Sequence, residues 1–106
     1  MDEKELLPSL AEQLQKDFAL NKESLPTLED LSLIRDHLIK KIKELMGKNF
    51  FQFINGLYRI DVSETKVREI IYAKDKTVIP ERLADLIIDR QLMRVKTRAL
   101  YKAKKL

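Results

Sequence analysis

The sequence predicts an all-α fold, a bundle of four or five helices with a long C-terminal helix. Only two Gly and three Pro occur in 106 residues, too few for a turn-rich β protein. Apolar residues also recur at spacings of three and four in five successive segments, which is the period of an amphipathic helix. The length suits one domain, so we expect residues 1–106 to form a single helical domain, with residues 1–6 and 102–106 as candidates for disorder.

The first two helices are predicted from Leu7 to Leu20 and from Thr27 to Gly47. Pro8 is tolerated in a first turn, where backbone amides have no partner within the helix. Thr27 and Asp30 approximate a capping box, and Gly47 can adopt the left-handed conformation that ends a helix. The apolar stripes of these helices are Leu7, Leu10, Leu14 and Phe18 in the first, and Leu31, Ile34, Leu38, Ile42 and Leu45 in the second.

The third segment, Asn49 to Ile60, fits two structures. Asn55-Gly56 between apolar runs is a strong hairpin signal. Helical spacing competes with it, because apolar residues fall at i, i+3, i+4, i+7 and i+8 from Phe50. Asn49 and Gln52 also have the spacing of a capping box. We predict a helix, at a cost of about 1 kcal/mol for its internal glycine.

Two more helices are predicted in the C-terminal half. Ser63 is placed to cap the fourth, with Val62 and Val67 as a hydrophobic staple, and this helix is expected to end near Lys74. The fifth is predicted from Pro80 towards Leu106, because proline favours the first turn of a helix. If it is continuous, this last helix is about 40 Å long, longer than a compact body of this size is wide.

The last helix carries two apolar stripes. One consists of Leu83, Leu86, Ile87, Met93 and Leu100. The other consists of Ile88, Leu92, Val95, Ala99 and Leu106, at spacings typical of a heptad seam. Either the helix is central and buried on both sides, or the second stripe is a surface for self-association. In the second case Ile88, Leu92, Val95 and Ala99 form the interface of a homodimer.

The same helix is basic along one edge. Residues 90–106 contain seven Lys or Arg and no acid, and residues 1–30 carry a net charge of −5 against +9 for the rest of the chain. Arg90, Arg94, Arg98 and Lys102 step by four, as expected of a stripe that could follow phosphates or an acidic partner. Only Tyr101 interleaves them, and no nucleic-acid-binding motif accompanies them.

The inventory of reactive side chains is thin. Cysteine is absent and His37 is the only histidine, so neither a thiolate nor a zinc site is indicated. Glu81, Asp85 and Asp89 share one helical face, where acids near a helix start are favourable without a metal. We therefore predict no enzyme, no catalytic or metal-ligating residue, no cofactor and no small-molecule ligand.

The location predicted for the chain is the cytoplasm. No apolar run is long enough to span a bilayer, and the acidic stretch that follows Met1 does not fit a signal peptide. The last helix also lacks the broad face of bulky apolar residues that a membrane surface would require. No membrane partner is expected.

The C-terminal half resembles small, uncharacterised, all-helical bacterial proteins that have no assigned activity. The resemblance rests on Phe50–Ile54, Leu57–Asp61, Glu81–Ala84 and Leu86–Gln91. It implies a helical third segment and implies no activity, cofactor or site residue.

Two functions follow from these patterns. The first is a non-catalytic helical interaction module that self-associates through its C-terminal helix. The alternative is binding of a nucleic acid or an acidic partner through the basic edge of that helix.

Overall fold

The computed structural model describes residues 3–18 and 31–104, and these form an all-α bundle without strands. The fold class predicted from the sequence is confirmed. The helices are α1 (Glu3–Phe18), α2 (Leu31–Lys48), α3 (Phe50–Arg59), α4 (Glu64–Ile71) and α5 (Ile79–Lys104), with a 3₁₀ helix, Lys76–Val78, directly before α5. The segment between the first two predicted helices and the capping box of Thr27 and Asp30 lie outside the described residues.

The bundle is built around α5. The helices α1, α2 and α4 all pack against it, while α3 packs against α2. With 26 residues, α5 is about 39 Å long. The largest fully buried apolar side chains of the core are Leu7, Leu10, Leu14, Ile34, Leu38, Ile42, Leu57, Val67, Leu83 and Ile87.

The first helix begins earlier than its proline suggested. It starts at Glu3 and contains Pro8 in its second turn, and Leu6 joins the predicted apolar stripe on the buried side. The proline ring is exposed, so it does not disturb the packed side. Residues 3–6 and 102–104, which the sequence left as candidates for disorder, are helical.

The third segment is a helix, and the hairpin alternative is wrong. The Asn49 side chain accepts a hydrogen bond of 3.0 Å from the backbone amide of Gln52, as the capping spacing predicts. This cap lies immediately after α2, which continues through Gly47 to Lys48. No glycine has a positive φ, so Gly47 is not the left-handed stop that we expected.

Helix α3 ends at an aspartate in the left-handed region. Asp61 has a φ of 61°. Its amide donates to the Tyr58 carbonyl at 3.2 Å, and the Val62 amide donates to the Leu57 carbonyl at 3.3 Å. These are the two hydrogen bonds of a Schellman motif, in which Val62 and Leu57 are both buried. Aspartate tolerates this conformation better than most residues.

The fourth and fifth helices begin where the sequence placed them. Ser63 Oγ accepts a hydrogen bond of 3.4 Å from the Lys66 amide, and Val62 and Val67 are both buried. Helix α4 ends at Ile71, one turn before the predicted end near Lys74. Helix α5 includes Pro80 in its first turn, in agreement with the expectation.

Candidate interaction surface

The second apolar stripe of α5 faces the interior of its own bundle. Ile88 and Val95 are only 5% and 4% exposed in the single chain, and Leu92 and Ala99 are half-buried. The structure therefore fits a central helix whose second stripe is buried, while the other stripe is fully buried only at Leu83 and Ile87. The expectation that this stripe stays exposed for a second copy is therefore corrected.

Helix α1 covers this part of the stripe. Val95 and Ala99 line a groove together with Ser9, Glu12 and Gln13 of α1. Periodicity alone does not distinguish the two stripes of α5, because it does not reveal which neighbouring helix packs against each side. Glu12, from the acidic N-terminal part of the chain, lies across this groove from Arg98 and Lys102.

A polar bridge joins α1 to α5 inside this contact. Gln91 is completely buried, and its Nε2 donates to the Asp17 carboxylate. The side-chain Nε2 of Gln13 donates to the same carboxylate at 3.2 Å. Arg94 donates to Gln91 Oε1 at 3.4 Å, and Arg98 donates to Gln13 Oε1 at 3.5 Å. Gln91 pairs with Asp17 and Arg98 with Gln13, so α1 and α5 run antiparallel.

This bridge fixes the register of the two helices. A buried amide without its partner would carry a desolvation cost of about 1–3 kcal/mol, so sliding α1 along α5 is unfavourable. Sequence analysis did not single out Gln91. The sequence does contain one indication, because Gln91 lies on the same side of the helix as the apolar residues Ile87, Ile88 and Leu92.

The basic stripe lies on the flanks of the buried side. Arg90 and Arg94 are half-buried, and Arg98 and Lys102 are exposed. Arg90 Nη2 lies 3.7 Å from the Asp61 carboxylate, and its Nε is buried without a hydrogen bond to any described residue. Because Arg94 and Arg98 belong to the polar bridge, an acidic partner on this stripe would compete with contacts inside the chain.

The solvent side of α5 carries the exposed apolar residues instead. Met93 is 61% exposed and Leu100 is 46% exposed, while Leu86 is half-buried. They follow one another at intervals of seven, close to two full helical turns, so they share one side of α5. Exposed Arg82, Asp89 and Lys96 lie between and beside them. We call these six residues the outward face of α5.

A second exposed apolar surface lies between α3 and α4. Phe51 and Tyr72 are 79% and 76% exposed, and they line a groove with Phe50, Ile54 and Ile71. The sequence predicts an amphipathic helix for α3, but it does not predict that Phe51 is exposed. The groove is mainly apolar, and Asn55 and Arg68 also line it.

The acidic row of α5 is not gathered around a common point. Asp85 forms an ion pair of 2.6 Å with Arg35 of α2. In the part of the chain that the structure describes, no three acidic or histidine side chains are close enough to hold a metal ion. The side chain of His37 is only half-buried on α2. None of these residues forms a reactive cluster with a neighbour.

Comparison of the chain with protein-family models, with curated proteins and with solved structures finds no match. Among the described helices, none combines the length and the apolar character needed to cross a bilayer. The function is therefore argued from the surfaces of the molecule.

Proposed function

We propose that this protein is a non-catalytic helical interaction module that self-associates through the outward face of α5. The observation that carries the proposal is the row Leu86, Met93 and Leu100, apolar residues that recur every seven positions on the solvent side of the central helix. Burying such a row against a second copy removes apolar surface from water. This is the helix that the sequence predicts for self-association. The proposed face lies on the side of α5 opposite the predicted stripe of Ile88, Leu92, Val95 and Ala99.

The charges on this face favour an antiparallel pairing of two copies. On this face Asp89 lies on the N-terminal side of Met93 and Lys96 lies on its C-terminal side, while Arg82 lies nearer the start of α5. A two-fold axis near Met93 would place Asp89 of each copy beside Lys96 of the other, and Leu86 beside Leu100. A parallel pairing would instead place each residue level with its own copy, about 10 Å along the helix from the opposite charge, and would lose this complementarity.

The size of the face makes the proposed dimer weak. Three apolar side chains separated by charges cover much less than the roughly 800 Å² per partner of a stable interface. We therefore expect association in the range of about 10–100 μM, as for small transient contacts. Because exposed ion pairs contribute little, most of the affinity would come from Met93 and the two leucines.

Sedimentation velocity over a wide concentration range tests the proposal. The wild-type chain is expected to pass from monomer to dimer as its concentration rises, and Met93→Glu is expected to remain monomeric because it brings two carboxylates together at the axis. Phe51→Glu is the matched control, since it adds the same charge at an exposed apolar residue away from α5. It should dimerise like the wild type.

Reversal of the charges tests the orientation. Asp89→Lys alone should weaken the dimer, and Asp89→Lys combined with Lys96→Asp should restore it. A wild-type chain that stays monomeric at several hundred micromolar, a range far above the expected dissociation constant, rejects self-association. A dimer that survives Met93→Glu but is lost in Phe51→Glu moves the contact to the groove between α3 and α4.

A further inference from the structure

A cleft lies where α1, α2 and α3 meet, away from the outward face of α5. Its volume is about 360 Å³, within the range of small-molecule pockets, which runs from roughly 300 to 1,000 Å³. Its floor is apolar and is formed by Phe18, Leu45 and Phe53. The two phenylalanine rings are 6.4 Å apart between centroids, and both residues are buried.

Cations from three helices converge on the rim of this cleft. Lys16 comes from α1, Lys41 and Lys48 come from α2, and Arg59 comes from α3. Lysines near a helix end also interact favourably with the helix dipole, which accounts for one or two of them. It does not account for the convergence of four cations from separate helices around one apolar floor.

The carboxylates nearby do not neutralise these cations. Glu44 lies 3.0 Å from Lys48 Nζ and 3.7 Å from Lys41 Nζ, and the hydrogen bond from Lys48 together with the charge of Lys41 lowers the pKa of Glu44. Asp17 is held by the polar bridge to α5. Lys16 and Arg59 form no ion pair with a described residue. The four cations of the rim therefore exceed the two carboxylates, Glu44 and Asp17, by a net charge of +2.

The rim also offers neutral groups that can orient a ligand. Asn49 and Gln52 line the cleft at the start of α3, and the Gln52 side chain is exposed. Gly56 lines it one turn further along, and a Cβ atom at that position would meet nothing within 4 Å. The wall of α3 is therefore open where a side chain would otherwise fill the space.

We propose that this cleft binds a small amphipathic anion, with its apolar part on Phe18 and Phe53 and its carboxylate, sulfonate or phosphate among Lys16, Lys48 and Arg59. An apolar floor beneath a positive rim matches such a ligand in both hydrophobicity and charge. This inference is independent of self-association through α5 and goes beyond the function proposed above.

The fluorescence of 1-anilinonaphthalene-8-sulfonate provides the test, because this probe combines an aromatic body with one sulfonate. The full-length wild type should bind it with an affinity that falls as salt is added. The double variant Lys48→Gln with Arg59→Gln should weaken binding by about fivefold, as expected from removing two exposed charges. Lys43→Gln with Arg68→Gln removes one Lys and one Arg outside the cleft and should leave the affinity unchanged.

A filling variant separates loss of the site from loss of the fold. Gly56→Leu places a side chain in the open wall and should stabilise α3 by up to about 1 kcal/mol, while it weakens probe binding by about tenfold or more. In ¹⁵N-labelled wild-type protein the Gly56 amide signal should move on titration. Displacement of the probe by benzoate but not by phenyl phosphate, two competitors with the same ring, would identify a carboxylate ligand, and the reverse a phosphate ligand.

Three results would overturn the proposal. They are equal affinity of the probe for wild type and Gly56→Leu, a Gly56 amide signal that does not move at saturation, and binding that disappears in Phe51→Gln. The last result would place the probe in the groove between α3 and α4. Because none of these measurements depends on dimer formation, they stand whatever the oligomeric state proves to be.

Discussion

Truncation of one residue from each side of α5 tests which side faces the core. Ile88 is 5% exposed and Met93 is 61% exposed, although the sequence presents both as members of apolar stripes. We expect Ile88→Ala to lower the free energy of unfolding strongly and Met93→Ala to leave it almost unchanged. The pair is matched, because each variant shortens one apolar side chain on the same helix to the residue with the highest helix propensity.

The size of the difference follows from burial. Replacing a buried isoleucine by alanine removes its transfer free energy and leaves a cavity, at a total cost of about 2–5 kcal/mol. An exposed side chain far from any special contact changes stability by no more than about 0.5 kcal/mol. A domain of this size has a total stability of roughly 5–15 kcal/mol, so the loss in Ile88→Ala is a large share of the whole.

Urea unfolding followed by circular dichroism at 222 nm measures both values. The protein is kept at about 5 μM, because dimer formation would add a concentration-dependent term to the stability. With a slope of about 1–3 kcal/mol per molar urea and a cost of about 2–5 kcal/mol, the midpoint of Ile88→Ala should fall by at least about 0.7 M. A cost below about 1 kcal/mol for Ile88→Ala, together with a larger cost for Met93→Ala, would refute the assignment of the two faces.

Three further results are expected. Gln91→Ala should cost about 2–4 kcal/mol, since it removes a hydrogen bond to a carboxylate and leaves a cavity; a loss under about 0.5 kcal/mol in the same urea assay would contradict the polar bridge. Asn49→Ala should cost about 1 kcal/mol through loss of the α3 cap, whereas Asn49→Asp should retain most of the stability. Hydrogen bonds from the hydroxyl and the backbone amide of Thr77 lower the pKa of Asp75. Ionised Asp75 therefore contributes to stability above its unfolded-state pKa. This contribution is lost as the pH falls through the pKa of Asp75 in the folded protein. A carboxyl ¹³C titration should show that the pKa of Asp75 is lower than in an unfolded peptide. In Thr77→Val the pKa of Asp75 should move towards the unfolded value. Equal pKa values of Asp75 in the wild type and in Thr77→Val would contradict this contact.

Local rules were sufficient for much of the secondary structure. The Asn49 and Ser63 caps, the proline at the start of α5 and the helical period of α3 are short-range patterns, and the structure confirms each of them. The failures were also local in origin. Pro8 predicts the first turn of α1 and Gly47 predicts the end of α2, but both residues lie inside their helices. An interior glycine costs about 1 kcal/mol and an interior proline about 3 kcal/mol, and the packing of each helix's buried apolar side outweighs this cost.

The surfaces were harder to predict, because they depend on which helices come together. The basic cleft collects Lys16, Lys41 and Arg59 from three helices, and no spacing in the sequence connects these residues. Gln91 was overlooked because a single glutamine among apolar residues does not identify a partner. Its partner, Asp17, is 74 positions away in the chain.

The sequence by itself determined that this chain is helical, where most of its helices begin, and that its last helix is apolar on two sides and basic on a third. These properties follow from the helical period and from the chemistry of helix ends, both of which act over a few residues. Only the tertiary structure decided which apolar side of α5 is covered. Burial depends on the positions of α1, α2 and α4, and the side they leave open is that of Met93 and Leu100.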